Sequence, residues 1–483
     1  MNTPVRRIAV VVIAMFLALM GAATWVQYVQ AAQLNADPRN VRTLYREYDN
    51  FRGPVVVGGE PVASSTPVDD PFGFQRSYAQ GPLYAHATGF YSVVFGRTGI
   101  ERAANELLTG SADSLFWSRI EDLVTGRQPQ GSSVELTIDP AVQQAAAAAL
   151  GSQRGAVVAL DPRTGAVLAM VSSPTYDPNV LAGHDTTAVN EAYRALDADP
   201  AEPLVNRAIA GDTYPPGSTF KLVDAAAALE AGLTPDSELA APDVLPLPGS
   251  SATIGNFGGA SCGPGGTVTM REALRTSCNT AFAQLGLDLG ADALREQAQR
   301  FGFGAPLSIP LTVVPSRFPE DPDAPQTALS AIGQYDVRAT PLQMAMVSAA
   351  IANGGEQMEP YLISTVRSAD LEVVEEASPD VLRTSMSQAT AQALAEMMVG
   401  VVESGTGTAA QVPGVRVAGK TGTAQTTDDA APHAWFTGFA PADDPQVAVA
   451  VIVENGGDAG NEATGGRVAA PIARAVFEAV LAR

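Results

Sequence analysis

Residues Ile8 to Val26 (IAVVVIAMFLALMGAATWV) form an uncharged, mostly apolar run. As a helix it spans about 28 Å, close to the hydrocarbon thickness of a bilayer. Arg6 and Arg7 precede it with no acid nearby. The positive-inside rule therefore predicts a cytoplasmic N-terminus and an extracytoplasmic remainder. A cleaved signal peptide is the alternative, with Val29-Gln30-Ala31 as a processing site, but a signal h-region is usually only about 7–15 residues long. We expect an uncleaved single-pass anchor over 8–28 after a short cytoplasmic tail at 1–7.

With 483 residues, the chain is long enough for more than one folded unit. The net charge of −22 repels a phosphate backbone, so nucleic acid is an unsuitable partner. Of the 29 basic residues, 27 are Arg and only Lys221 and Lys420 are Lys. If coding bias replaces Lys by Arg wherever it can, the survivors mark positions where an ammonium must be able to lose its proton.

Residues 29–135 mix short strand-like runs such as Pro54–Val57 with helical stretches at Ile100–Leu108 and Ser114–Val124, a small irregular α/β module. From Val134 the texture changes. VELTID reads as a strand, Ala141–Leu150 as a helix, and GAVVALDPRTGAVLAMVS as two strands joined by an Asp-Pro-Arg-Thr-Gly turn. Helices are predicted at Phe220–Ala231, Met270–Leu289, Pro341–Asn353 and Arg467–Leu481, and strands at Arg416–Ala418 and Val447–Val453. Antiparallel strands from both ends of 136–483, a helical insert between them and a terminal helix describe an α+β sandwich.

Ser218 and Lys221 lie three apart in STFK at a predicted helix start, so their side chains share a face. A neutral amine there can take the proton of a poorly nucleophilic hydroxyl, and a second cation nearby would lower its pKa. Lys420, in KTGT, can be that cation, and the bare Cα of Gly422 would let a substrate backbone approach. Between the lysines, Ser277-Cys278-Asn279 offers a relay hydroxyl and an orienting amide in a helical context. Cys262 and Cys278 are the only cysteines, and the SCGPGG loop could bring one to the other. A disulfide is expected outside the cytoplasm, with two buried thiols as the alternative.

Together, STFK, SCN and KTGT resemble the S-x-x-K, S-x-N and K-T-G motifs of penicillin-binding proteins and serine β-lactamases. The segments RSYAQGPLYAHATGF, Gly99-Ile100-Glu101, GAVVALDPRTGAVLAMVSSPTYDPN, Gly333-Gln334, TPLQMA and HAWFTGFAP extend the resemblance to class B penicillin-binding proteins, most closely the PbpA type of actinobacteria. That resemblance implies a transpeptidase domain over 136–483, an antiparallel sheet with helices on both faces plus a helical subdomain, behind a pedestal- or dimerisation-like module. It implies acylation of Ser218 by a D-Ala-D-Ala stem peptide with Lys221 as base. Ser277 and Lys420 would relay a proton to the leaving D-Ala. Asn279 would orient the peptide, Thr421 and Thr423 would bind its carboxylate, and the N–H groups of Ser218 and Thr423 would form the oxyanion hole. An amine from a second stem peptide would then complete the cross-link, and β-lactams would acylate the same serine. No cofactor or metal is implied. The implied partners are a SEDS-type glycosyltransferase and other divisome or elongasome proteins, because the membrane-proximal module is too short to be a polymerase.

Rival readings are weaker. Gly414–Thr421 matches G-x-x-x-x-G-K-[ST] but lacks the following helix that a phosphate loop needs. His86, His184 and His433 lack a nucleophile elbow. His433 reads as a strand-rim residue and Trp435-Phe436 as core. A β-lactamase needs a deacylating carboxylate; no Glu-x-x-Leu-Asn segment lies between Ser277 and Lys420, and Glu272 reads as a solvated helix residue. A D,D-carboxypeptidase, a β-lactam sensor and a non-catalytic scaffold are the remaining alternatives.

Overall fold

The Asp-Pro-Arg-Thr-Gly hairpin lies at one side of a five-stranded antiparallel sheet in the computed structural model, which describes residues 3–30, 48, 50–112, 114, 130–425 and 430–482. Its strands are Gly155–Leu160 (β1) and Val167–Ser173 (β2). The C-terminal part adds Ala418–Ala424 (β3), His433–Ala440 (β4) and Val447–Val453 (β5), in the order β3-β4-β5-β1-β2. Successive side chains of a strand point to opposite faces, and here both faces are buried. Trp435, Ala450 and Ile452 enter one core, whereas Phe436, Val449 and Val451 enter the other. Strands β1 and β5 accordingly run without a polar side chain, whereas buried Thr437 on β4 donates its hydroxyl to backbone oxygens of Met344 or Val449.

Helices Pro140–Leu150 (α1) and Ala470–Leu481 cover the second core's face. Asp139 caps α1 by accepting from the Ala141 and Val142 N–H groups. Helix Pro341–Ala352 covers the opposite face, and the helical insert adjoins it. The insert contains Lys221–Glu230 (α2), preceded by a tight 3₁₀ turn at Gly217–Phe220.

The single helix expected over Met270–Leu289 is two, Met270–Thr276 (α3) and Asn279–Leu289 (α4). Ser277 breaks it at φ 61°, in the left-handed region. The break is stabilised from afar: Asn256 Oδ1 accepts from the N–H groups of Asn279 and Thr280 at 2.9 and 3.1 Å. Apolar periodicity continues across the interruption and hides it. The strand expected at Arg416–Ala418 begins at Ala418 and runs through the lysine motif.

Val55–Val57, Glu60–Pro67, Phe74–Tyr78 and Ser133–Leu136 form a second sheet, completed by Ile363–Arg367 and Val373–Glu376 from far along the chain. Buried Glu101 binds Arg52 Nε at 2.6 Å and Arg76 Nε at 2.7 Å, and accepts from the Tyr78 hydroxyl at 3.2 Å. This cluster accounts for the Arg and Tyr of RSYAQ and the Glu of Gly-Ile-Glu. The stretch Ile100–Leu108 is two short helices meeting at Ala104. Most of the helix expected at Ser114–Val124 lies outside the described residues. Thr3–Val29 form one helical run of 27 residues, long and apolar enough to cross a membrane.

Candidate active site

A Pro-Pro-Gly sequence forces the chain through a turn before Ser218, and the turn rests on the edge strand β3. Gly217 has φ 53°, and a Cβ there would stand 2.9 Å from the Thr423 carbonyl oxygen. Its N–H donates to the Gly333 oxygen at 2.9 Å, and a Cβ on Gly333 would stand 2.1 Å from the Gly217 oxygen, which explains the glycine of Gly333-Gln334. Trp435 Nε1 donates to the Pro215 oxygen at 3.1 Å, fixing the turn from behind. Trp435 and Phe436 are fully buried, as expected of core residues.

The 3₁₀ geometry eclipses residues three apart, so Ser218 and Lys221 face the same side. Lys221 Nζ nevertheless donates to the Ser277 carbonyl oxygen and to Asn279 Oδ1, both at 2.8 Å, and not to Ser218. Ser277 Oγ is 3.4 Å from the same nitrogen. A neutral amine has two N–H donors and one lone pair; the two short bonds use both donors and leave the lone pair. Burial, and then the neighbouring Lys420, push Lys221 well below the ordinary lysine range. Lys420 Nζ bonds Ser277 Oγ at 2.7 Å and the Thr421 oxygen at 3.0 Å, and burial brings it down to about 7. Both surviving lysines thus meet at one hydroxyl.

Ser277 reaches that position because its left-handed backbone ends α3 and lets α4 begin at Asn279. Asn279 Nδ2 donates to the Gly255 oxygen at 3.2 Å, so its amide is held at both ends. Cys262 and Cys278 are disulfide-bonded, tethering the motif to the 256–266 loop. Sequence reading missed Asn256, whose capping side chain lies 23 residues before the helix end it serves. It also missed Asp224, one turn beyond Lys221. Its carboxyl is buried without a hydrogen-bond partner, and burial pushes its pKa well above the carboxylate range.

On β3, Lys420 points to Ser277 and Gly422 faces the Ser218 turn, whereas the side chains of Thr421 and Thr423 turn toward Thr406 and Gly465 at the strand's edge. A Cβ on Gly422 would be 2.9 Å from the Pro216 oxygen and 3.0 Å from Thr219 Cγ2. The space expected to admit substrate backbone at Gly422 is therefore taken by the turn that carries Ser218. Thr421 Oγ1 lies 2.6 Å from Thr406 Oγ1, and half-exposed Thr423 accepts from the Gly465 N–H at 3.4 Å. Being an edge strand, β3 leaves alternate N–H and C=O groups outside the sheet ladder.

The phosphate-loop pattern ends inside β3 and not at a helix start. Glu454, the acid closing β5, serves a buried cluster, accepting from Arg207 Nε at 2.9 Å and the Tyr214 hydroxyl at 2.7 Å. His433 accepts from the Asn455 N–H at 3.0 Å at the start of β4. No group of three or more potential metal ligands occurs among the described residues.

Residues 155–478 match the penicillin-binding protein transpeptidase domain, and residues 52–134 match the penicillin-binding protein A dimerisation domain. The chain belongs to the penicillin-binding protein transpeptidases. Among curated relatives, the peptidoglycan D,D-transpeptidase PbpA of Mycolicibacterium smegmatis is 48% identical, with 100% of this chain and 99% of the relative covered. The penicillin G acyl-enzyme of penicillin-binding protein A from M. tuberculosis is 47% identical with a TM-score of 0.85, covering 89% of this chain and 100% of that one. Pseudomonas aeruginosa PBP2 is 31% identical with a TM-score of 0.72, covering 89% and 95% respectively. This penicillin-binding family has the α+β sandwich of sheet and helices described above.

Proposed function

We propose that this penicillin-binding transpeptidase cross-links peptidoglycan stem peptides through an acyl-enzyme on Ser218, and that β-lactams acylate the same hydroxyl. The observation that carries the assignment of roles is the convergence of Lys221 and Lys420 on Ser277 Oγ beside the Ser218 turn. Lys221, held as a free base by burial, takes the Ser218 proton as the hydroxyl attacks the penultimate D-Ala carbonyl. The N–H groups of Ser218 and Thr423 stabilise the developing oxyanion, a contribution of about 3–4 kcal/mol per donor in comparable sites. Ser277, bonded to the Lys420 ammonium, passes its proton to the leaving D-Ala nitrogen and is reprotonated by Lys221 with the proton taken from Ser218. Asn279 orients the donor peptide, and Thr421 and Thr423 hold its terminal carboxylate. An amine of a second stem peptide attacks the acyl-enzyme, forming the new amide and freeing Ser218.

The helix Thr3–Val29 anchors the chain through its apolar run Ile8–Val26, with Arg6 and Arg7 in its first turns on the cytoplasmic side and the catalytic domain outside. A polymerising glycosyltransferase of the SEDS type and other divisome or elongasome proteins are the partners proposed for it.

Mass spectrometry after penicillin treatment should find one drug mass on the peptide containing Ser218, and none in Ser218→Ala. Lys221→Arg should abolish acylation, because a guanidinium cannot accept the proton. A D-Ala-D-Ala thioester with and without an amine acceptor separates transpeptidase from carboxypeptidase. Normal acylation in Ser218→Ala would reject the assignment.

A further inference from the structure

Three elements converge on Thr406, a residue outside all three motifs. Its N–H donates to the Arg275 oxygen at 3.3 Å, near the end of α3 and two residues before Ser277. A Cβ on Gly466 would stand 2.2 Å from the Thr406 carbonyl oxygen, so the segment leading into the C-terminal helix presses on it as well. Its exposed side chain places Oγ1 2.6 Å from Oγ1 of buried Thr421 on β3. Backbone contacts thus fix Thr406 where its hydroxyl meets the lysine-motif strand.

Two hydroxyls at this distance share one proton between their oxygens, and either can donate. If Thr421 donates to Thr406, it has no proton for a ligand. If Thr406 donates, the Thr421 proton is free to point elsewhere, and its bond is strengthened by the one it receives. A carboxylate has only lone pairs, so its arrival selects the second direction. We propose that Thr406 is a positioning residue of the acyl-donor carboxylate subsite, donating to Thr421 Oγ1 and thereby committing the Thr421 proton to the carboxylate. This rests on the reading that Thr421 and Thr423 hold that group.

The test compares acylation of the full-length protein by penicillin G and by its methyl ester, which masks the carboxylate. One lost hydrogen bond of about 1 kcal/mol corresponds to roughly a fivefold change. Thr406→Val should slow acylation by penicillin G about fivefold, more if a charged bond is weakened, and leave the ester within about twofold. Thr406→Ser, which keeps the hydroxyl, should restore the discrimination between acid and ester. Equal losses for acid and ester in Thr406→Val, or no loss for either, would overturn the proposal. Thr423→Val serves as the control: if it discriminates acid from ester and Thr406→Val does not, only the Thr406 assignment fails. If Thr423→Val does not discriminate either, the carboxylate reading fails with it.

Discussion

Lys420 Nζ lies 2.7 Å from Ser277 Oγ, and Lys221 Nζ approaches the same oxygen from a different element at 3.4 Å. One hydroxyl thus separates two buried amines whose charges repel, so favouring one ammonium beside one free amine. With Lys221 as the base and Lys420 as the cation, acylation should fall as pH rises through about 7, where Lys420 loses its proton. Lys420→Arg keeps the charge at every accessible pH. It should therefore remove the alkaline fall while lowering the maximal rate, because the guanidinium fits the site poorly. Rates of penicillin acylation between about pH 5 and 9 check this; an alkaline limb unchanged in Lys420→Arg would assign it to another group.

Gly422 gives a sharper geometric prediction. A methyl group there would stand 2.9 Å from the Pro216 oxygen, 3.0 Å from Thr219 Cγ2 and 3.0 Å from Trp435 Cβ, three neighbours with little freedom to move. Gly422→Ala should displace the Ser218 turn from β3 and lower the acylation constant by about 10²-fold, the cost of roughly 1 Å of misplacement. Acylation kinetics beside a thermal melt separate this from general unfolding. A variant acylated at the normal rate would mean that the turn is not held by this contact.

The glycine also shows where sequence reading stopped. Gly422 is visible as part of KTGT, but the neighbour that excludes its side chain comes from residue 216, about 200 positions away. The same holds for Asn256, which caps the helix starting at Asn279, and for Thr406, which touches Thr421. The cluster of Lys221, Lys420, Ser277 and Asn279 was legible because the two lysines stand alone in the composition and local spacing presents their motifs. The hairpin, the strand at 447–453 and the anchor helix were legible because periodicity and composition act locally. The break at Ser277 was not, since it depends on a cap from another loop. Nor was the second sheet, whose strands at 363–376 pair with residues from the opposite end of the chain.

Glu101 holds two arginines in the interior of that second sheet. Replacing it by Gln preserves the shape and leaves Arg52 and Arg76 as buried charges without a counterion. Breaking a buried ion pair in this way typically costs about 3–5 kcal/mol. Glu101→Gln should therefore expose residues 52–134 to proteolysis at temperatures where the wild type resists, while Ser218 still acylates in the surviving folded fraction. Indistinguishable proteolysis of variant and wild type would show that the triad contributes little to stability.

His86 ties the module matched to the dimerisation domain to the transpeptidase domain. Its Nε2 lies 3.0 Å from the Pro203 oxygen, its backbone oxygen accepts from Asn206 Nδ2 at 3.0 Å, and its ring packs edge-on against Tyr176. Burial brings its pKa down to about 4 from an ordinary value of 6.5, so the folded protein keeps the ring neutral. The unfolded chain binds a proton at about pH 6.5 and the folded one only near pH 4. In that window, unfolding takes up a proton and stability rises with pH. The penalty is absent well above pH 6.5, grows as pH falls, and is complete below about pH 4, where a shift of this size amounts to about 3 kcal/mol. His86→Gln can still donate toward Pro203 but does not titrate. Its thermal midpoint should therefore decline less than that of the wild type between pH 6.5 and 4, and parallel melting curves would place the acid sensitivity elsewhere.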